Sequence, residues 1–219
     1  MGKKAILLGA SGLIGTHLLS LLLNSSTYDQ VLILVRKELD VQHPKLRQLV
    51  VDFELLNQYA HEIKGDVVFC CLGTTKSKTP DPAQYRKIDL QYPLDVAWIA
   101  QSNGAAQYHL VSALGANRNS SIFYSKLKGE AEHELKAVPF KAIHIYQPSL
   151  LDGDRKESRF GERTMIRVMH VLNPLLIGPL KKYRSIKVSK VAMAMFRKST
   201  EEHKGIYTYT SEQIETIGS

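Results

Sequence analysis

The fold of this 219-residue chain is decided by one stretch near its start, Lys3-Lys4-Ala5-Ile6-Leu7-Leu8-Gly9-Ala10-Ser11-Gly12-Leu13-Ile14-Gly15-Thr16. A short apolar run ends at a glycine, two more glycines follow, and an apolar helical pattern continues to residue 23. Glycines between a strand and a helix permit a tight turn and let backbone N–H groups approach a pyrophosphate. A glycine triplet alone could be only a turn, but this context predicts dinucleotide contacts by Gly9, Ser11, Gly12, Leu13, Ile14 and Gly15.

Short apolar runs recur along the chain, at residues 31–35, 49–51, 67–72, 108–111, 142–146 and 206–209. Such runs are typical of parallel strands that are covered on both faces. Helical patterns lie between them or near the end, at residues 55–63, 83–102, 121–138 and 188–196. This alternation predicts an α/β fold, a doubly wound parallel sheet of the NAD(P)-binding Rossmann-like type. We expect one domain over residues 1–219, with a cofactor-binding core over about 1–150 and a small lid region over about 151–219.

Composition narrows the class of protein. Apolar residues make up 44% and charged residues 23%, which excludes disordered and collagen-like chains. The formal net charge of +8 suits an anionic ligand, a phosphate-rich polymer or an acidic membrane surface. Cys70 and Cys71 are adjacent and read as reduced, and neither a secretory signal nor a membrane span is recognisable, so we expect a cytoplasmic protein. The eight histidines have no metal-ligand spacing, and no metal is expected.

The second apolar run ends at Arg36 and Lys37, where an NAD-specific site would carry a carboxylate for the ribose hydroxyls. An arginine at this position can bind a 2′-phosphate bidentately, and a lysine adds a point charge. The pair therefore favours NADP(H) over NAD(H). The alternative is a solvated pair at a strand end, with Glu38 and Asp40 close by in sequence.

Three residues suggest carbonyl chemistry. Tyr124 and Lys128 are four apart on one predicted helix, and Ser112 ends the strand before it. A phenol titrates near pH 10, and a neighbouring ammonium lowers the free energy of its anion, so this pair suits a proton donor and its modulator. Ser112 is expected to hydrogen-bond a substrate carbonyl at the carboxyl end of the sheet. Tyrosine and lysine at this spacing also occur on solvated helix faces.

The glycine turn, Ser112 and the Tyr124-Ser125-Lys126-Leu127-Lys128 segment follow one another as in short-chain dehydrogenase/reductases, and the chain resembles their atypical or extended branch. That resemblance implies that Tyr124 protonates the carbonyl oxygen, Lys128 holds the nicotinamide ribose and Ser112 orients the substrate.

Further segments resemble the Tat-interacting-protein oxidoreductase family: Val51-Asp52-Phe53-Glu54, Phe69-Cys70-Cys71-Leu72-Gly73-Thr74-Thr75, Lys128-Gly129-Glu130 and Asp154-Arg155-Lys156-Glu157-Ser158-Arg159. The resemblance implies that Asp52 and Phe53 border the adenine, that Cys71, Leu72, Gly73 and Thr74 lie beside the cofactor's ribose, and that Pro148, Leu150 and Leu151 border the nicotinamide. The simpler alternatives are a helix N-cap for Asp52, core positions for the cysteines and a turn for Gly73. Gln147 stands where relatives often carry arginine.

Two functions follow from these patterns. The first is an NADP(H)-dependent oxidoreductase acting on a small molecule, either a carbonyl or alcohol or a nucleotide-sugar-like substrate, with epimerase or dehydratase chemistry also open. The second is an NADP(H)-binding regulator or partner-binding protein without significant turnover. The basic cluster Lys181-Lys182-Tyr183-Arg184 could contact an anionic membrane or a protein, or be an ordinary solvated surface; no nucleic acid is expected. Segment 152–159 could form a salt-bridged lid over the site or be a solvated loop, and the chain could form an oligomer.

Overall fold

The structure is a computed structural model that describes residues 2–153, 178 and 183–219. Its main feature is a seven-stranded sheet in which every neighbouring pair of strands is parallel. The strands of this sheet are β1 (Lys3–Leu8), β2 (Tyr28–Val35), β3 (Leu46–Val50), β4 (Val67–Cys70), β5 (Gln107–Val111), β6 (Ala142–Gln147) and β9 (Gly205–Thr210). A separate parallel pair consists of β7 (Leu151–Asp152) and β8 (Ile186–Lys187).

Helices cover both faces of the sheet. They are α1 (Leu13–Asn24), a 3₁₀ helix (Phe53–Tyr59), α2 (Pro82–Arg86), α3 (Tyr92–Ser102), α4 (Phe123–Leu135), α5 (Val188–Thr200) and α6 (Ser211–Ile217). Buried residues of α1 and α5 share one core cluster, and those of the 3₁₀ helix, α3 and α4 share the core on the other face. The predicted doubly wound parallel sheet is therefore confirmed.

The sheet lies between two layers of helices because its strands carry apolar side chains on both of their faces. Along β1, Leu7 packs into the core shared with α1 and α5, whereas Ile6 and Leu8 pack into the opposite core. In β4, Phe69 and Val68 divide between the two cores in the same way. This alternation is what a pleated strand requires when both of its faces are buried.

The strand order β3-β2-β1-β4-β5-β6-β9 contains a topological switch point between β1 and β4. The chain runs outward from β1 to β3 and then returns to the other side of β1. In open α/β sheets, ligands bind outside the carboxyl ends of the strands at this point. The loops that begin at Gly9 and Cys71 flank it, and Ser112 and Pro148 follow the next two strands at the same edge.

Several predicted elements differ in detail. The helix predicted over 83–102 consists of α2, a π-helical turn (Lys87–Gln91) and α3, and that turn places Asp89 and Leu90 inside. The pattern at 55–63 forms only the 3₁₀ helix, and the strand predicted to reach 72 ends at Cys70. α6, absent from the sequence prediction, begins with a capping box in which Thr210 and Gln213 satisfy each other's backbone N–H groups.

Part of the predicted lid lies outside the described residues. This applies to the charged segment 154–159, to the helical pattern over 164–172 and to Lys181 and Lys182 of the basic cluster. Of the helices that the structure describes, none combines the length and the apolar character needed to cross a bilayer.

Candidate functional site

The glycine turn has the geometry that a dinucleotide requires. Gly9 has a φ of +77°, and a Cβ there would lie 2.6 Å from the carbonyl oxygen of Cys71. A Cβ at Gly15 would lie 2.0 Å from the carbonyl oxygen of Gly9. Only glycine allows this backbone conformation and this approach of α1 to the turn, and the N–H of Gly12 closes the turn on the Gly9 oxygen at 2.9 Å.

The first turn of α1 is available to an anion. Gly12 is its N-cap, and within the described part of the chain no side chain caps this end of the helix and no acidic residue lies in its first turn. Unsatisfied N–H groups and the helix dipole favour a negative group at such a terminus. The residues present therefore fit a pyrophosphate. Ser11 is exposed beside this terminus, whereas Leu13 is partly buried and Ile14 is buried.

The residues predicted to select the cofactor follow the neighbouring strands. Arg36 and Lys37 are exposed directly after β2. Asp52 follows β3 after one residue, and its carboxylate accepts the N–H of Glu54 at 2.9 Å, so it caps the 3₁₀ helix. Phe53 is buried, and its ring lies 5.2 Å from that of Tyr92. The structural role expected as the alternative for Asp52 is thus present, and its contact with adenine stays a prediction.

The loop after β4 is held at the crevice by polar contacts. The N–H of Cys71 bonds to Leu8 O at 3.0 Å, which ties the loop to the end of β1. Thr74 donates its N–H to Asp89 Oδ2 at 2.8 Å, and its carbonyl accepts the Tyr85 hydroxyl at 2.9 Å. Leu72 and Thr74 are partly buried and Gly73 is exposed, whereas Cys70 is a buried free thiol of the core.

Lys128 is buried at this loop and forms an ion pair. Its Nζ lies 2.8 Å from Asp89 Oδ1, and the two side chains are 7% and 1% exposed. Burial lowers the pKa of Lys128, but the charge of Asp89, the interaction with Tyr124 and the hydrogen bond to Asp89 together outweigh burial and leave that pKa above its ordinary value. A Cβ on Gly73 would lie 3.7 Å from the same Nζ. The ammonium is therefore charged and next to the predicted ribose-binding loop.

Tyr124 lies one turn before Lys128 in α4, and its side chain interacts electrostatically with that lysine. The residue is 42% exposed, as a group that meets a substrate must be. A Cβ at Gly129 would lie 2.2 Å from the N atom of Arg118, so Gly129 allows the loop after β5 to pack on α4. The structure thus brings α4 and the end of β5 together.

Ser112 is buried at the end of β5, and its backbone N–H bonds to Tyr146 O at 2.7 Å. Its hydroxyl donates to the carboxylate of Glu132, one turn after Lys128. Gln147 donates its side-chain N–H groups to both oxygens of the same carboxylate, at 2.9 and 3.1 Å. Tyr124, Lys128 and Glu132 follow one another at intervals of four and so share a face of α4.

The residues predicted to border the nicotinamide continue from β6. Pro148 is buried, and its carbonyl accepts the N–H of Leu114 at 2.8 Å. Leu150 is 40% exposed, and Leu151 is partly buried in β7. The structure therefore places these residues at the same edge as Ser112, beside the loop that Gly129 packs against.

Two residues of this region were absent from the sequence prediction, Asp89 and Glu132. Glu132 carries a signal, since it extends the four-residue spacing of Tyr124 and Lys128 by one step. Asp89 carries none, because its partner is 39 positions away and the π-helical turn that directs it inward has no recognisable pattern. The described residues contain no cluster of His, Cys, Asp or Glu that could hold a metal ion.

Comparison with known proteins agrees with this geometry. A protein family described as NAD(P)H-binding matches residues 9–166. Protein HTATIP2 of Rattus norvegicus is 37% identical over 164 residues, which cover 73% of this chain and 67% of that protein. Mitochondrial protein FMP52 of Candida glabrata is 27% identical over 223 residues, covering 98% of this chain and 96% of that protein.

Solved structures share the fold. The Bordetella bronchiseptica enzyme WbmH, in complex with NAD⁺, superposes with a TM-score of 0.72 at 17% identity. The match covers 100% of this chain and 80% of the WbmH chain. MoeE5, in complex with UDP-glucose and NAD, has a TM-score of 0.70 at 16% identity, covering 98% and 80%. At such identities the likeness concerns the fold alone.

Proposed function

Because the chain belongs to the NAD(P)H-binding family, as an atypical short-chain dehydrogenase/reductase related to HTATIP2, we propose that it is an NADP(H)-dependent oxidoreductase. Its substrate in this proposal is an alcohol or carbonyl compound, or a nucleotide-sugar-like molecule of the kind bound by MoeE5. The observation that carries the proposal is the position of Tyr124, Lys128 and Ser112 at the edge of the sheet where the glycine turn opens.

The cofactor preference rests on charge. Arg36 and Lys37 are exposed after β2, and a guanidinium there can bind a 2′-phosphate through two parallel hydrogen bonds. The glycine turn binds the pyrophosphate through the N–H groups of α1. Preference for NADP(H) over NAD(H) is supported by this basic pair, in the position where an NAD site would have a carboxylate.

The chain's own residues handle the proton. When bound, the nicotinamide supplies or accepts the hydride at the substrate carbon. Tyr124 donates its phenolic proton to the carbonyl oxygen in reduction and takes the hydroxyl proton in oxidation. Lys128 lowers the free energy of the tyrosinate through its charge and holds the ribose hydroxyls with the N–H groups that Asp89 does not use. Ser112 orients the reacting oxygen.

The test is Tyr124→Phe, with Tyr207→Phe on the distant strand β9 as the matched control. We expect the Tyr124 variant to lose at least about a hundredfold in kcat, the usual contribution of general acid catalysis, with the Kd of NADPH nearly unchanged. The control keeps its activity, because its hydroxyl donates to Lys204 O, just before the start of β9 and away from the carboxyl edge of the sheet. Full activity of Tyr124→Phe would show that this phenol is not the acid.

One observation favours the second function, an NADP(H)-binding regulator without significant turnover. The charge of Asp89 offsets that of Lys128, so less of the lysine's field reaches Tyr124. A regulator would bind NADPH and a partner protein equally well with or without the Tyr124 hydroxyl. Retained binding together with no turnover of any carbonyl by the unmodified chain would favour this function.

Location and partners stay predictions. The sequence predicts a cytoplasmic protein, whereas the FMP52 relatives carry names that place them in mitochondria. Imaging of the full chain with a fluorescent C-terminal tag separates the two locations. For the basic cluster around Arg184, binding to vesicles with and without anionic lipid tests membrane contact, and sedimentation of the same protein gives its oligomeric state.

A further inference from the structure

A buried polar triad lies at the carboxyl ends of β5 and β6, the edge of the sheet to which the proposed function assigns the substrate. It consists of Ser112, Glu132 and Gln147, from β5, α4 and the end of β6. Ser112 and Glu132 are 4% and 7% exposed. The serine hydroxyl donates to one carboxylate oxygen, and the glutamine side chain donates to both. Of these three residues, only Ser112 has a role in the function proposed above.

The donors around Glu132 indicate its charge state. Both of its oxygens accept hydrogen bonds from Gln147, and one accepts a further bond from Ser112. An ionised carboxylate is an acceptor only, whereas a protonated carboxyl would turn one of its oxygens into a donor. Gln147 carries no charge, so the buried carboxylate is stabilised by hydrogen bonds. The bond from the Ser112 hydroxyl is one of them. The arrangement is that of an ionised glutamate.

The consequence falls on Ser112. A hydroxyl has one proton and two acceptor lone pairs, and here the proton is directed to Glu132. The positions on this oxygen that remain for a substrate are therefore lone pairs. Such an oxygen accepts a hydrogen bond from an alcohol, but it cannot at the same time donate one to a carbonyl oxygen.

We propose that Glu132 is a positioning residue that makes Ser112 a hydrogen-bond acceptor, so that the cleft binds the hydroxyl form of its substrate in preference to the carbonyl form. This inference rests on the proposed oxidoreductase function and gives that site its substrate class, a secondary or primary alcohol. Tyr124 is then the only one of the two hydroxyl residues that donates to a carbonyl oxygen.

The hydrogen bond is tested without substrate. In protein labelled with [δ-¹³C]glutamate, the Glu132 resonance is the one that disappears in Glu132→Met. We expect it at the position of an ionised carboxylate at pH 7 and expect it to move in Ser112→Ala, but not in the exposed control Ser102→Ala. A protonated carboxyl, or a resonance that ignores Ser112→Ala, would overturn the inference.

The effect on specificity is tested with cyclohexanol and cyclohexanone as a matched pair. The double variant Glu132→Met/Gln147→Met removes carboxylate and amide together, which keeps the volume and leaves neither of these two groups buried without the other. It frees the serine proton, so we expect the ratio of alcohol KM to ketone KM to rise by about threefold to tenfold, the worth of one hydrogen bond. Adding Ser112→Ala should return the ketone KM to its value in the parent chain, and Glu134→Met, on the exposed side of α4, should leave the ratio unchanged.

An unchanged KM ratio in the double variant would contradict the inference while leaving the oxidoreductase function intact. If the unmodified chain oxidises or reduces neither probe nor any other compound, the proposed function fails instead. The carboxylate resonance still decides in that case whether Glu132 holds the Ser112 proton. A folding control by circular dichroism accompanies every variant.

Discussion

At the scale of single residues, Gly15 is required by the atoms beside it. A Cβ there would lie 2.0 Å from the Gly9 carbonyl oxygen, which is backbone and cannot rotate away. We expect Gly15→Ala to lower the free energy of unfolding by about 1–3 kcal/mol, as overpacking does, and to weaken cofactor binding because α1 must move. Urea unfolding and NADPH titration measure the two effects.

Gly73→Ala is the control for that substitution. The nearest atoms to a Cβ at Gly73 are 3.6 Å away, an ordinary van der Waals contact. Its unfolding free energy should stay within about 0.5 kcal/mol of the parent chain, the usual range for an exposed position. Equal losses in the two variants would mean that the tight approach at Gly15 is not what matters.

The Lys128–Asp89 pair has a stability role separate from catalysis. Lys128→Met leaves the carboxylate of Asp89 buried without its partner, and breaking a buried ion pair from one side costs about 3–5 kcal/mol. Adding Asp89→Asn should recover most of this loss, because an asparagine oxygen can still accept the N–H of Thr74. Urea unfolding of the single and double variants measures both values.

An exposed ion pair between α2 and α4 provides the comparison. Arg86 pairs with Glu130, and the arginine side chain is 54% exposed. Arg86→Ala should cost no more than about 1 kcal/mol, because exposed pairs are screened by water. If Lys128→Met cost as little, the buried pair would not be structurally important.

The site residues were predictable from the sequence, but the residues that they contact were not. Tyr124, Lys128 and Ser112 were identifiable because helical spacing and strand ends are local patterns. The partners that set their charge and hydrogen bonding, Asp89 and Glu132, are tertiary contacts. Local spacing predicts which side chains share a face of a helix but not what that face meets.

At the scale of elements, the outer strands β5, β6 and β9 carry a stack of rings. His144 lies 4.5 Å from His109 and 5.2 Å from Tyr207, measured between ring centroids. Its Nδ1 bonds to the Tyr209 hydroxyl at 2.9 Å, and in the described part of the chain its buried Nε2 has no partner. Burial lowers the pKa of His144 to about 4 and that of His109 well below its ordinary value.

The sign of the pH effect follows from these shifts. In the unfolded chain the histidines titrate near pH 6.5, so below that pH the unfolded state binds more protons than the folded state. The contribution of these buried histidines to the free energy of unfolding is fully present above about pH 6.5. It is lost as pH falls toward 4, by about 3 kcal/mol for His144 alone.

Urea unfolding between pH 7.5 and 4.5 tests this. We expect His144→Phe to reduce the dependence of unfolding free energy on pH by about one proton, whereas His61→Phe, an exposed histidine, should not change it. An identical slope in the parent chain and both variants would refute the assignment of the pH dependence to the buried rings.

Element boundaries were less predictable than elements. The helical pattern over 83–102 gave no sign of the π-helical turn, because the residues that this turn buries, Asp89 and Leu90, are held by contacts with distant parts of the chain. Strands, in contrast, were recognised by composition alone, since both faces of the sheet are covered and their apolar runs are continuous.

At the scale of the whole molecule, the order of the strands determines where chemistry can occur. The switch point between β1 and β4 brings the glycine turn, the Asp89-bound loop and the end of β5 to one edge. Alternation of strands and helices in the sequence predicts this architecture. The identity of the substrate was not predictable, because it depends on contacts between distant segments rather than on a local pattern.

The central claim is that this edge binds NADP(H), and fluorescence titration of the purified chain with NADPH and NADH tests it most directly. We expect NADPH to bind more tightly, and Arg36→Ala to weaken NADPH binding by roughly tenfold to a hundredfold without affecting NADH, since hydrogen bonds to charged groups contribute about 1.5–3 kcal/mol. Arg47→Ala, whose side chain pairs with Glu62 on the surface, is the control and should change neither Kd. Equal affinity for both nucleotides, unchanged in Arg36→Ala, would contradict the preference, and binding of neither would contradict the function.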